Sequence, residues 1–136
     1  MTKHADRRLT PEERATLEFL LIDEIPRVDQ LRTQAESAQV SGRCDCGCPT
    51  IDLAIDEYAP IWTPGVSVDR IVAMAFSRGM ERPAELLLHA LDGRLIELEY
   101  VDMAGNQPQA SFPPLSTWQE PLVGPGPESY RWPKGP

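Results

Sequence analysis

The fold turns on one stretch, Leu86-Leu87-Leu88-His89-Ala90-Leu91-Asp92-Gly93-Arg94-Leu95-Ile96-Glu97-Leu98-Glu99-Tyr100-Val101. Two apolar-rich runs flank Asp92-Gly93, a dipeptide that tolerates the positive φ angles of a tight hairpin turn. A two-residue turn pairs Leu91 with Arg94, and hence His89 with Ile96. That register places Leu87, His89, Ile96, Leu98 and Tyr100 on one sheet face. Leu86, Leu88, Ala90, Leu95, Glu97 and Glu99 fall on the other. A slip of one residue would exchange part of this assignment.

Working outward from the hairpin, Arg70 to Ser77 carries Ile71, Val72, Met74 and Phe76 and reads as a more central strand. Ile51, Leu53 and Ile55 alternate with Asp52, Ala54 and Asp56, the pattern of a half-buried strand. Pro60 to Gly65 reads as a loop. Before Val40 the period is helical. In Thr10-Pro11-Glu12-Glu13, Thr10 accepts a backbone N–H bond, Pro11 suits the first helical position and Glu13 completes a capping box. The helix runs to about Glu24 on an apolar stripe of Leu17, Leu20 and Leu21, widened by Phe19 and Ile22. Pro26 ends it and opens a second helix over about Arg27 to Gln39, with Val28, Leu31, Ala35 and Ala38 inward.

Helices first and strands afterwards predict an α+β domain, two N-terminal helices packed on an antiparallel sheet of four or five strands. Residues 1–8 are expected to form a flexible N-terminus and 9–103 the domain. Eight of the 14 prolines fall after residue 103, which excludes further helices or central strands there. Because Phe112, Leu115, Trp118 and Leu122 accompany them, 104–122 is expected as an extended Pro-rich arm packed on the domain. Residues 123–136 are expected as a mobile Pro/Gly-rich tail.

Composition narrows the function. The 136 residues suffice for one domain with a real core, and apolar residues make up 41%. A net charge of −8 argues against binding nucleic acid, which needs a basic surface, and favours a basic protein partner. A homodimer is compatible with the same surface. No apolar run reaches the ~18 residues of a membrane span. The first residues lack a secretory apolar core, and three cysteines cannot all pair within one chain, so a cytoplasmic location is expected.

Those three cysteines, Cys44, Cys46 and Cys48, lie together in Gly42-Arg43-Cys44-Asp45-Cys46-Gly47-Cys48-Pro49. They admit three readings. As a zinc-type metal site they supply three of four tetrahedral ligands, with His89, His4 or a thiol of another chain as the fourth. C-x-C-x-C on an extended strand would spread the sulfurs, whereas a turn at Gly47-Cys48-Pro49 would gather them. As a redox pair they would close a small, strained and oxidising ring. As structural residues, one or two of them would be small buried apolar side chains at a tight, glycine-assisted strand connection.

His89 reads most simply as a core-edge histidine. Glu97 and Glu99, about 7 Å apart by the strand repeat, read as a solvated face. A hydrolase built on these three groups would need them in one cleft, and the expected register separates them. No phosphate loop, G-x-S-x-G or H-E-x-x-H is present, so no cofactor other than zinc is indicated and an enzyme is not expected. The face carrying Leu86, Leu88, Leu95, Glu97 and Glu99 mixes apolar and acidic groups and is the expected partner-binding surface.

At Leu9-Thr10-Pro11-Glu12-Glu13-Arg14, Leu31-Arg32-Thr33-Gln34-Ala35, Gly42 through Leu53 (the GRCxCGCPTIDL motif) and Asp92 through Glu99, the chain resembles a group of small actinobacterial proteins. The resemblance spans about residues 9–115. It implies a shared fold and carries no chemistry, since no activity is established for that group. Size and acidity together lead to the expectation of a non-enzymatic interaction domain, an immunity or inhibitor protein against a basic partner. A small metal-binding protein using Cys44, Cys46 and Cys48, with His89, is the alternative.

Overall fold

Thr10 opens the first helix as its side chain dictates. In the computed structural model, which describes residues 6–65, 70–79, 84–102 and 110–124, the Thr10 hydroxyl accepts from Glu13 N at 3.1 Å. Glu13 Oε1 in turn accepts from Thr10 N at 2.9 Å. The helix, α1, spans Pro11–Leu20 and stops short of the expected Glu24. Leu21 and Ile25 are both buried, and the chain must turn between them to point both side chains inward. Arg32 Nη2 satisfies the Leu21 carbonyl left over at that turn, at 2.7 Å. Helix α2, Val28–Ser37, starts after Arg27, which takes a left-handed φ of 54°. Pro26 therefore lies in the inter-helix turn and does not open the second helix.

The sheet is entirely antiparallel and has seven strands rather than four or five: β1 Arg7–Arg8, β2 Gln39–Arg43, β3 Ile51–Ala54, β4 Ile71–Phe76, β5 Ala84–Leu91, β6 Arg94–Asp102 and β7 Leu122–Val123. Their spatial order is β1-β2-β3-β6-β5-β4-β7. The additional strands lie at or next to the edges: β1 and β7, of two residues each, are too brief to leave an alternating pattern, and β2 carries Ser41, Gly42 and Arg43 in place of apolar residues. Arg7 and Arg8, expected within a flexible N-terminus, pair with Val40 and Gln39. The Arg7 guanidinium anchors that pairing with a two-pronged hydrogen bond to both Glu13 carboxylate oxygens, at 2.9 and 3.0 Å.

Asp92 and Gly93 form the β5–β6 turn with φ of 53° and 78°. Leu91 pairs with Arg94 and Ala90 with Leu95, but His89 then pairs with Glu97, not with Ile96. Ile96 is the extra residue of a β-bulge, and every later β6 side chain therefore changes face. Leu98 pairs with Leu88 and Tyr100 with Leu86 on the helix-covered face, whereas Glu97 and Glu99 join His89 and Leu87 on the opposite one.

The main core lies between α1, α2 and the inner sheet face, where Leu17, Leu20 and Leu31 meet Ile51, Leu86, Leu88, Leu95 and Leu98. Leu86, Leu88 and Leu95, expected on a partner-binding surface, are 0%, 0% and 1% exposed. They are core residues and cannot reach a partner. Within 110–124, Phe112 and Trp118 are buried, and Trp118 meets Tyr100 edge-on with ring centroids 6.1 Å apart. Residues 104–109 of the expected arm and 125–136 of the expected tail lie outside the described residues. No helix among the described residues is long and apolar enough to cross a membrane.

Candidate metal centre

Strands β2 and β3 are joined by residues 44–50, and this connection holds the thiols. Cys44 N donates to Thr50 O at 3.3 Å and Gly47 N to Cys44 O at 3.4 Å, which folds the segment into a tight turn. Gly47 completes it at φ 89°, a conformation that costs an L-residue about 1 kcal/mol or more. Thr50 fastens the turn to β6, since its hydroxyl accepts from Tyr100 N at 2.9 Å.

The turn gathers the sulfurs instead of spreading them. Cys44, Cys46 and Cys48 Sγ all lie within 4.8 Å of one another, with Cys44 and Cys46 Sγ 2.7 Å apart. Two backbone amides point at them: Cys46 N donates to Cys44 Sγ at 3.5 Å, and Cys48 N to Cys46 Sγ at 3.3 Å. Amide donors directed at sulfur are the kind of outer-shell contact that orients metal-bound thiolates. The arrangement explains how C-x-C-x-C can do what C-x₂-C does in a knuckle. Cys44 and Cys46 are exposed and Cys48 half-buried, which contradicts the reading of the cysteines as small buried core groups.

The same cavity, about 510 Å³, is lined by the three cysteines, Arg43, Asp52, Glu97 and Glu99. Arg43 Nη2 reaches Cys48 O at 3.4 Å and Ala110 O at 3.3 Å, holding a cation beside the thiols.

His89 does not join the cysteines as a fourth ligand. It forms a separate group with Glu97 and Glu99, whose donor atoms also lie within 4.8 Å of one another. Its Nε2 lies 2.8 Å from Glu99 Oε1 and 3.8 Å from Glu97 Oε1. The bulge at Ile96 is what brings these three together, and it removes the separation that the expected register imposed. Burial raises the Glu97 carboxyl above its usual range, aided by the charges of Glu99 and Asp52 and opposed by His89 and Arg70. Glu85, on the same face and 2% exposed, is pushed up to about 7, by burial first and then by Glu99.

Sequence reasoning singled out the three cysteines, His89, Glu97 and Glu99, but gave no role to Glu85, Thr50 or Arg70, nor to Gln34 behind the hairpin. Gln34 is fully buried and lies three residues beyond Leu31 on the inward stripe of α2, a spacing that was the available signal. In comparisons with family models, curated proteins and solved structures, nothing matches this chain.

Proposed function

We propose that this chain is a small metal-binding protein that holds a thiophilic ion of the zinc type on Cys44, Cys46 and Cys48. The observation that carries the reading is the convergence of three thiols, two exposed and one half-buried, on one turn, with backbone amides already directed at two of them. Soft thiolate donors select zinc or monovalent copper over magnesium or calcium. In a tetrahedral zinc site with Zn–S near 2.3 Å the sulfurs stand about 3.8 Å apart, so the Cys44–Cys46 pair must open by about 1 Å. An exposed turn closed by a few hydrogen bonds permits that movement.

Structural zinc sites are closed by four protein ligands, whereas three leave a position for an incoming donor. The cavity beside the thiols is also lined by Asp52 and Asp102, which supply oxygen donors outside the His89 group. The arrangement suits a site that exchanges its ion or the group bound to it. The core is built elsewhere, from helix and sheet, so the fold does not depend on the metal.

Protein purified without added metal is expected to contain close to one equivalent of zinc or copper by elemental analysis. The Cys44→Ser, Cys46→Ser, Cys48→Ser variant is expected to contain none and to keep its circular dichroism. Less than about a tenth of an equivalent in the wild type, and none taken up on adding zinc, rejects the reading.

A second reading, a contact with a basic protein, rests on the net charge of −8 and on the exposed Tyr58, Ile61 and Leu91, with its core-buried leucines withdrawn. An immunity or inhibitor role would belong to this reading. Its association rate would fall steeply with salt, and a salt-independent rate would count against it.

A further inference from the structure

The sheet face away from the helices carries a second constellation, His89 with Glu97 and Glu99, that the thiol site does not use. His89, Glu97 and Glu99 are each partly buried, on the two longest strands of the sheet. Such positions hold side chains more firmly than a loop does. Asp52 pairs with Glu97 across β3 and β6, and Glu85 lies one step along β5 from the Leu87–Glu99 pair. Two carboxylates, those of Glu97 and Glu99, thus meet one imidazole, while Asp52 and Glu85 add like charge beside Glu97 and Glu99 respectively and Arg70 opposes it at Glu97.

A bare cluster of this kind is costly, because like charges at short range in a half-buried setting repel strongly. Two atoms sharpen the point. Glu85 Oε2 is buried without a hydrogen-bond partner, although the residue is 2% exposed and within electrostatic reach of Glu99. His89 Nδ1 is also buried without a partner, while Nε2 faces the two glutamates. Buried polar atoms without partners are rare in folded proteins and call for a physical account. A divalent cation supplies one for the carboxylates, because it replaces mutual repulsion with shared attraction.

We infer that His89, Glu97 and Glu99 form a second metal site, selective for an oxygen-preferring divalent ion of the manganese or ferrous type. One imidazole nitrogen with several carboxylate oxygens is the donor set that such ions favour, and thiolates are the set they favour least. Glu85 is the reserve carboxylate beside the site. The inference stands apart from the thiol site, since neither donor set includes a residue of the other. The two ions would face one cavity, because Glu97 and Glu99 line the space that the cysteines line.

The test is a manganese titration followed by electron paramagnetic resonance, which reports loss of the free aqueous ion. Wild-type protein and the Cys44→Ser, Cys46→Ser, Cys48→Ser variant should bind about one equivalent with equal affinity. Glu99→Gln and His89→Gln should each weaken binding by about tenfold or more. Paramagnetic broadening of the His89 ring resonances in the wild type gives a readout that needs no variant. Absence of manganese binding by the wild type overturns the inference, as does binding with His89 unbroadened. Binding lost in the cysteine variant would assign the ion to the thiols and overturn it equally. The thiol reading fails on different grounds, the zinc or copper content of the same preparations.

Discussion

Replacing Gln34 with Met should cost this protein about as much stability as truncating a large core side chain. Gln34 is fully buried and its amide makes three bonds outside its helix. Nε2 donates to Pro60 O and to Gly93 O, both at 2.8 Å, and Oε1 accepts from Leu95 N at 2.9 Å. The contacts link α2 to the 60–65 loop, the hairpin turn and the first residues of β6. Leu95 lies beside the bulge, where the ladder does not supply its usual partner. Gly93 O keeps a second donor, Trp62 N at 2.9 Å, so the substitution strands chiefly Leu95 N and Pro60 O. Three net hydrogen bonds at about 1 kcal/mol each, with the buried Leu95 N left unpaired, give a loss of about 3–5 kcal/mol. For a chain of 136 residues that corresponds to a melting temperature lower by roughly 10–17 °C. Urea denaturation of wild type and variant, read by circular dichroism, measures the difference directly. A loss below about 1 kcal/mol would refute the reasoning, because it would mean that the clamp does not hold the hairpin. Since the bulge sets the faces of Glu97 and Glu99, the same variant should also weaken manganese binding.

Two further substitutions test the electrostatics. Glu85, with its carboxyl raised from 4.5 to about 7, holds a proton in the folded state that the unfolded chain has already released. Stability of metal-free protein should therefore fall as pH rises from about 4.5 to about 7. Glu85→Gln should reduce that decline, leaving the part due to the raised Glu97, and stabilise the protein at pH above 7 by up to about 3 kcal/mol; a variant no more stable than wild type in chelator at alkaline pH contradicts this. At Glu13, burial pushes the carboxyl up, but hydrogen bonds from Arg7 and Thr10 and the charge of Arg7 outweigh it and hold it below its usual range. Its contribution is present above pH 4.5 and lost as pH falls through the lowered folded value. Glu13→Ala should cost about 1–2 kcal/mol at neutral pH, with the gap to wild type closing in acid, and a gap independent of pH would count against the pairing.

Much of the architecture was legible because local chemistry and tertiary demand agree. Thr10, Pro11 and Glu13 announce a helix start, and Asp92-Gly93 announces a hairpin, each through a backbone requirement that few other residues meet. The bulge at Ile96 was not read, and with it went the faces of β6. Its trace in the sequence is slight: Leu95-Ile96 places two apolar residues side by side before the strict alternation Glu97-Leu98-Glu99-Tyr100. In β5, Leu86-Leu87-Leu88 has no alternation to correct the register. Strands β1 and β7, of two residues each, carry no period at all and form because neighbouring strands offer them open edges. The thiol turn was half legible. Gly47 and Pro49 indicated a turn, but hydrogen bonds from Cys46 N and Cys48 N to sulfur depend on how the turn closes, which spacing alone does not determine.

The central claim is that three sulfurs of one turn bind one ion, and X-ray absorption at the zinc edge counts them. Wild-type protein loaded with one equivalent of zinc should show three sulfur scatterers at about 2.3 Å and one nitrogen or oxygen at about 2.0–2.2 Å. A first shell with no more than one sulfur would contradict the account, because it would place the ion away from Cys44, Cys46 and Cys48.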